Sequence, residues 1–81
     1  MKVLITNHVL DRAKERMKLS EAKVKVLART AIYAYTQVYK DFQKARIPCN
    51  DEFEWIVNKI EEETFMVVTL SPIPKSRRMP L

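Results

Sequence analysis

The stretch FEWIVNKIEEETFMVVTL, Phe53–Leu70, decides the fold class of this chain. Its two halves, FEWIVNKI (Phe53–Ile60) and TFMVVTL (Thr64–Leu70), are rich in aromatic and β-branched side chains. Such residues fit a pleated, half-buried surface, so both halves read as strands. The acidic run Glu61–Glu63 joins them. A helical alternative stays open over DEFEWIVNKIEEE, Asp51–Glu63, because Glu and Lys favour helices.

Working towards the N-terminus, PCND (Pro48–Asp51) reads as a turn that stops whatever precedes it. QVYKDFQKAR (Gln37–Arg46) either continues an earlier helix or forms a third short one, with Val38 and Phe42 facing inward. EAKVKVLARTAIYAY (Glu21–Tyr35) repeats apolar residues at Val24, Leu27, Ala28, Ala31 and Tyr35, the spacing of a helix on a core. Ser20 is its expected N-cap, with Glu21 at the positive end of the helix dipole. A first helix is expected from His8 to about Lys18, capped by Thr6 or Asn7, with Val9, Leu10, Ala13 and Met17 on one stripe. VLIT (Val3–Thr6) is a short β-prone run before it.

The order is therefore β-α-α-(α)-β-β. It describes an α+β domain in which an N-terminal strand and two to three helices pack on a small antiparallel sheet. Val9, Leu10, Met17, Leu27 and Ile32 are expected to pack against Val67 and its neighbours. Residues 1–72 form the single domain. Residues 73–81 form a basic, proline-containing C-terminal tail, extended and ordered only where it docks.

Composition narrows the function. Of the 81 residues, 47% are hydrophobic, too many for a disordered chain. Glycine is absent, which removes glycine-rich phosphate loops and dinucleotide fingerprints. One cysteine, Cys49, and one histidine, His8, exclude an internal disulfide and a Cys/His zinc site within one chain. A lone thiol fits a reducing compartment. No apolar run is long enough to span a bilayer, and the N-terminal apolar stretch is too short for a signal peptide. The expectation is a cytoplasmic protein without a cofactor or a membrane partner. The net charge of +5 suits RNA, DNA or an acidic protein surface.

The strongest candidate site lies in HVLDRAKERM, His8–Met17. His8, Arg12 and Arg16 recur every four residues and so form one row on a helix. In metal-free RNA cleavage the 2′-hydroxyl is the nucleophile. His8 suits the base or the acid, because imidazole titrates near neutrality. Arg12 and Arg16 suit phosphate oxygens, through their forked donors. The bland reading is the solvated side of an amphipathic helix. Tyr33, Tyr35, Tyr39 and Lys59 are candidates for a second acid or base, but no spacing selects one. Tyr35 and Trp55 read as core residues. Glu61–Glu63 read as a solvated turn. In the tail, Lys75, Arg77 and Arg78 form a second basic group, suited to clamping phosphate or wrapping a partner.

The pieces ITNHVLDRAKERM, LSEAKVKVLARTAI and FMVVTLSP together resemble a family of small phage and mobile-element proteins. Its pattern runs from an apolar strand through T-x-His-x3-Arg-x3-Arg and a second helix to a final hairpin ending near Leu-x-Pro. Residues 37–54 match it poorly. Such proteins are similar to the RelE- and BrnT-like ribonuclease toxins. The resemblance implies a RelE/BrnT-like fold and an RNA-binding protein, with metal-independent endoribonuclease activity as its stronger form. A phage setting also implies an alternative: a non-catalytic protein that binds and inhibits a host defence protein. The acids concentrate in Asp51–Glu63 and the bases elsewhere, a bipolar surface that suits a homodimer as well as it suits RNA.

Overall fold

The computed structural model describes residues 1–77 of the chain. Strand β1 (Lys2–Ile5) leads into helix α1 (Asn7–Met17) and helix α2 (Glu21–Val38). Strands β2 (Lys44–Pro48), β3 (Phe53–Glu61) and β4 (Thr64–Pro72) follow, then a 3-10 turn, Lys75–Arg77. The protein is α+β, with the helices packed on one face of a four-stranded sheet.

Both helices begin where capping chemistry sets them. Thr6 Oγ1 accepts the Val9 N–H at 3.3 Å and donates to the Val68 carbonyl at 3.3 Å. One hydroxyl thus caps α1 and ties its start to β4. Val9 and Ala13 are the fully buried residues of α1. Lys18 ends the helix in a left-handed conformation, φ 58°, and the Leu19 N–H turns back to the Ala13 carbonyl at 3.3 Å. Ser20 Oγ then caps α2 by accepting the Lys23 N–H at 3.2 Å. α2 buries Val24, Ala28 and Ile32, one row four residues apart.

The sheet order is β1-β4-β3-β2. β2, β3 and β4 form an antiparallel meander, while β1 runs parallel to β4. The sheet is therefore mixed, where an antiparallel one was expected. A parallel neighbour needs a long crossover, and the two helices and the β2–β3 hairpin supply the intervening chain. The optional third helix is instead β2. Ala45 and Ile47 point inward while Lys44, Arg46 and Pro48 point out, which is a period of two. As an edge strand, β2 tolerates Pro48 and carries basic residues that discourage further pairing. The helical alternative for Asp51–Glu63 gives way to a nine-residue strand.

The core joins the helices to Ala45, Ile47, Trp55, Val57, Phe65, Val67 and Leu70. Each fully buried Val, Ile or Leu contributes roughly 1.5–3 kcal/mol. Val9, Ile32 and Val67 take the core positions expected of them, while Leu10, Met17 and Leu27 pack only at its margin. Tyr35 leads an aromatic file at the end of α2. Its ring stands edge-on to Phe42 at 4.9 Å, and Phe42 stacks on Phe65 at 5.4 Å. Register shifts between Ile56 and Val57, and between Lys59 and Glu61, bend the β3–β4 ribbon. The inward residues of β4 therefore run Phe65, Val67 and then Leu70.

Candidate nucleic-acid interface on α1

α1 presents His8 and Arg16 to solvent, with Arg12 between them half-buried. The row expected from the sequence is thus present on a single helix. The side chains of His8 and Arg12 make no hydrogen bond or ion pair among the described residues. Arg16 is held differently: its guanidinium lies 5.5 Å from the centroid of the Phe53 ring. That cation–π contact fixes one fork of the row while leaving its N–H donors free for an anion.

The row ends beside the β2–β3 turn. Met17 Sδ accepts from Asn50 Nδ2 at 3.4 Å and from Cys49 Sγ at 3.8 Å. Asn50 in turn closes the turn by accepting the N–H groups of Glu52 and Phe53, each at 2.8 Å. Burial raises the pKa of the Cys49 thiol above its ordinary value of 9.0. Cys49 is accordingly a packing residue rather than an activated nucleophile.

The other end of the predicted site has another role. The tail continues from β4, with the Ile73 N–H on the Glu52 carbonyl at 2.7 Å. The 3-10 turn then brings Arg77 onto Glu54 in a two-pronged pair, at 3.2 Å and 2.8 Å. Arg46, on β2, approaches the same carboxylate at 3.7 Å. The Glu54 side chain is only 4% exposed. Arg77, predicted to hold phosphate, is therefore committed to a buried carboxylate. Lys75 is exposed in the same turn, and Arg78 lies outside the described residues. Phe53 and Glu54 are consecutive in β3 and point to opposite faces. Arg16 and Arg77 thus approach the start of β3 from its two sides.

Glu54 and Arg46 were not among the residues expected from the sequence. The signal for Glu54 was a lone acid between Phe53 and Trp55 in a β-prone run. Its meaning depends on Arg46 and Arg77, which only the β2–β3 pairing and the folded tail bring near it.

Two clefts lie away from the row. One, of about 700 Å³, separates Arg29 and Tyr33 of α2, and Lys40 just beyond its end, from the β3–β4 turn at Glu62 and Glu63. The other sits in the elbow between α1 and α2, at Leu10, Lys14 and Leu19. Neither is lined by His8, Arg12 or Arg16. Among the candidate second acids and bases, Lys59 is paired with Glu62 at 4.0 Å and Tyr35 packs in the aromatic file. Among the described residues no group of His, Cys, Asp and Glu is placed to hold a metal, and no helix is long and apolar enough to cross a membrane.

Comparison of the chain with protein families, with curated proteins and with solved structures finds no significant match.

Proposed function

We propose that this is a small RNA-binding protein of the RelE/BrnT-like kind, which grips the phosphate backbone with His8, Arg12 and Arg16. One observation carries the reading. His8 and Arg12 are unpaired among the described residues, and Arg16 is anchored only through its π-face, so the row offers its donors outward. Arginine forks suit phosphate oxygens, and a rigid helix sets their spacing in advance. The β-α-α start and the C-terminal hairpin support the phage and mobile-element resemblance in general plan.

Metal-free cleavage is the stronger form of the proposal. His8 would take the proton of a 2′-hydroxyl as its oxygen bonds to phosphorus, Arg12 would stabilise the charged phosphorane, and the 5′-oxygen would leave as its P–O bond breaks, taking a proton from water and leaving a 2′,3′-cyclic phosphate. Neither cleft is lined by the row, and Lys59 and Tyr35 are engaged in other contacts, which favours gripping over cutting. The experiment is incubation of the purified chain with single-stranded RNA in the presence of a metal chelator. Cleavage abolished by His8→Ala supports the enzymatic form. Binding without cleavage limits the function to recognition.

A second reading rests on the same openness. A row outside both clefts also fits an acidic patch on a protein surface, as a phage inhibitor of a host defence protein would need. Stable capture of an acidic protein in preference to RNA, lost on Arg12→Glu, would favour that reading.

A further inference from the structure

Trp55, Val57 and Lys59 alternate along the helix-facing side of β3. The first two close the core, whereas the third sets an ammonium opposite Phe65, whose side chain is buried. The Lys59 side chain is 18% exposed. Its one ion pair among the described residues is with Glu62, at 4.0 Å, and the Glu62 side chain is 89% exposed. Lys59 has therefore given up most of its water without gaining a close acceptor.

Lys59 lies in the cleft of about 700 Å³ beneath the C-terminal half of α2. Small-molecule sites span roughly 300–1,000 Å³. Arg29, Tyr33 and Thr36 form the opposite wall, on one face of α2 at spacings of four and three, and Lys40 extends it. Arg29 and Lys40 are exposed and make no ion pair or side-chain hydrogen bond among the described residues. Tyr33 is 60% exposed, and its ring meets no other ring among them, whereas Tyr35 and Tyr39 lie 4.7 Å apart. The cleft also holds acids: Asp41, Glu62 and Glu63. All three are exposed, and Glu63 pairs with the Met1 amino group at 3.7 Å. Charge is thus sorted by depth, with the Lys59 ammonium below and the carboxylates at the mouth.

We propose that this cleft binds a phosphate monoester carrying a planar ring: a nucleoside monophosphate, free or at the phosphorylated end of an RNA chain. The phosphate takes the place between Lys59 and the α2 wall, where Arg29 offers a forked donor and Lys40 a second charge. A dianion uses cations from both walls, which a single carboxylate does not need. The base stacks on the Tyr33 ring, which no protein ring occupies. The acids at the mouth disfavour a longer polyphosphate by like-charge repulsion. The α1 row does not line this cleft, so either site can fail without the other.

The test is a titration of the isotope-labelled chain with adenosine 5′-monophosphate, followed by the backbone amide NMR shifts of each residue. Saturable shifts are expected over residues 29–40 and 59–65, with a dissociation constant on the order of 100 µM. Inorganic phosphate and adenosine, each alone, should bind at least about tenfold more weakly. Arg29→Gln, on an exposed side chain, and Lys59→Met, which keeps an apolar stem, should each weaken binding about tenfold, in spectra that remain those of a folded chain. Arg12→Ala should leave the cleft shifts unchanged. A short RNA with a 5′-phosphate, set against the same RNA with a 5′-hydroxyl, distinguishes the sources. Tighter binding of the phosphorylated RNA than of the free nucleotide assigns the cleft to a chain end, and the reverse order assigns it to the free nucleotide. Absence of saturable shifts in the cleft overturns the proposal. So do shifts confined to α1, binding indifferent to both Arg29→Gln and Lys59→Met, or inorganic phosphate binding as tightly as the nucleotide.

Discussion

Arg77→Ala isolates one of the contacts that hold the C-terminal segment to the sheet. Arg77 makes a two-pronged pair with Glu54, whose side chain is 4% exposed, while its own is 44% exposed. Breaking a fully buried pair costs about 3–5 kcal/mol, because it strands a charge away from water. Two features lower that figure here. Half of the Arg77 side chain already faces solvent, and Arg46 remains 3.7 Å from the carboxylate. The expected loss is about 2 kcal/mol, which for a domain of this size lowers Tm by roughly 8–16 °C. Urea denaturation followed by the fluorescence of Trp55 provides the assay, since that ring is 1% exposed and is the only tryptophan. The control is Glu54→Leu, an apolar side chain of similar length that removes the buried charge and is expected to be nearly neutral. In that background Arg77→Ala should cost less than about 0.5 kcal/mol. An equal loss in both backgrounds would refute the reasoning, since Arg77 would then act through something other than Glu54.

Two smaller predictions follow from the backbone and the thiol. Lys18 occupies a left-handed conformation, φ 58°, without the glycine that ordinarily fills it. Lys18→Gly should therefore raise stability by up to about 1 kcal/mol, read as a shift in urea midpoint; a loss would mean that the lysine side chain outweighs its backbone strain. Cys49 has its pKa raised by burial, so the folded state prefers the protonated thiol. Stability from this group is present below the unfolded value of 9.0 and is lost as pH rises through the folded value. Iodoacetamide at pH 8 should accordingly modify Cys49 more slowly in the native chain than in urea; equal rates would contradict the burial argument.

The helices were legible because their determinants are local. Thr6 and Ser20 cap α1 and α2 through bonds spanning three residues, and the buried rows repeat every four. The β3–β4 hairpin was legible for the same reason, its two apolar runs being separated only by acids. β2 was not, because five residues, KARIP, bury only Ala45 and Ile47 and include a proline. The parallel pairing of β1 with β4 joins Lys2 to Thr64 across most of the chain, and no local pattern encodes it. The same division runs through the site. Helical periodicity placed His8, Arg12 and Arg16 together. The commitment of Arg77 to Glu54 depended on strand pairing and a folded tail, so the sequence left Arg77 looking like a free cation.

The central claim, that the α1 row grips an RNA backbone, is tested most directly by the salt dependence of binding. Fluorescence anisotropy with a labelled single-stranded RNA, over a salt series, gives the slope of log K against log salt concentration. Each phosphate contact contributes roughly −0.7 to that slope for single strands. The wild-type chain is predicted to bind, with Arg12→Ala weakening binding and making the slope shallower by about 0.7. No binding at low salt, or an Arg12→Ala slope equal to that of the wild type, would contradict the account.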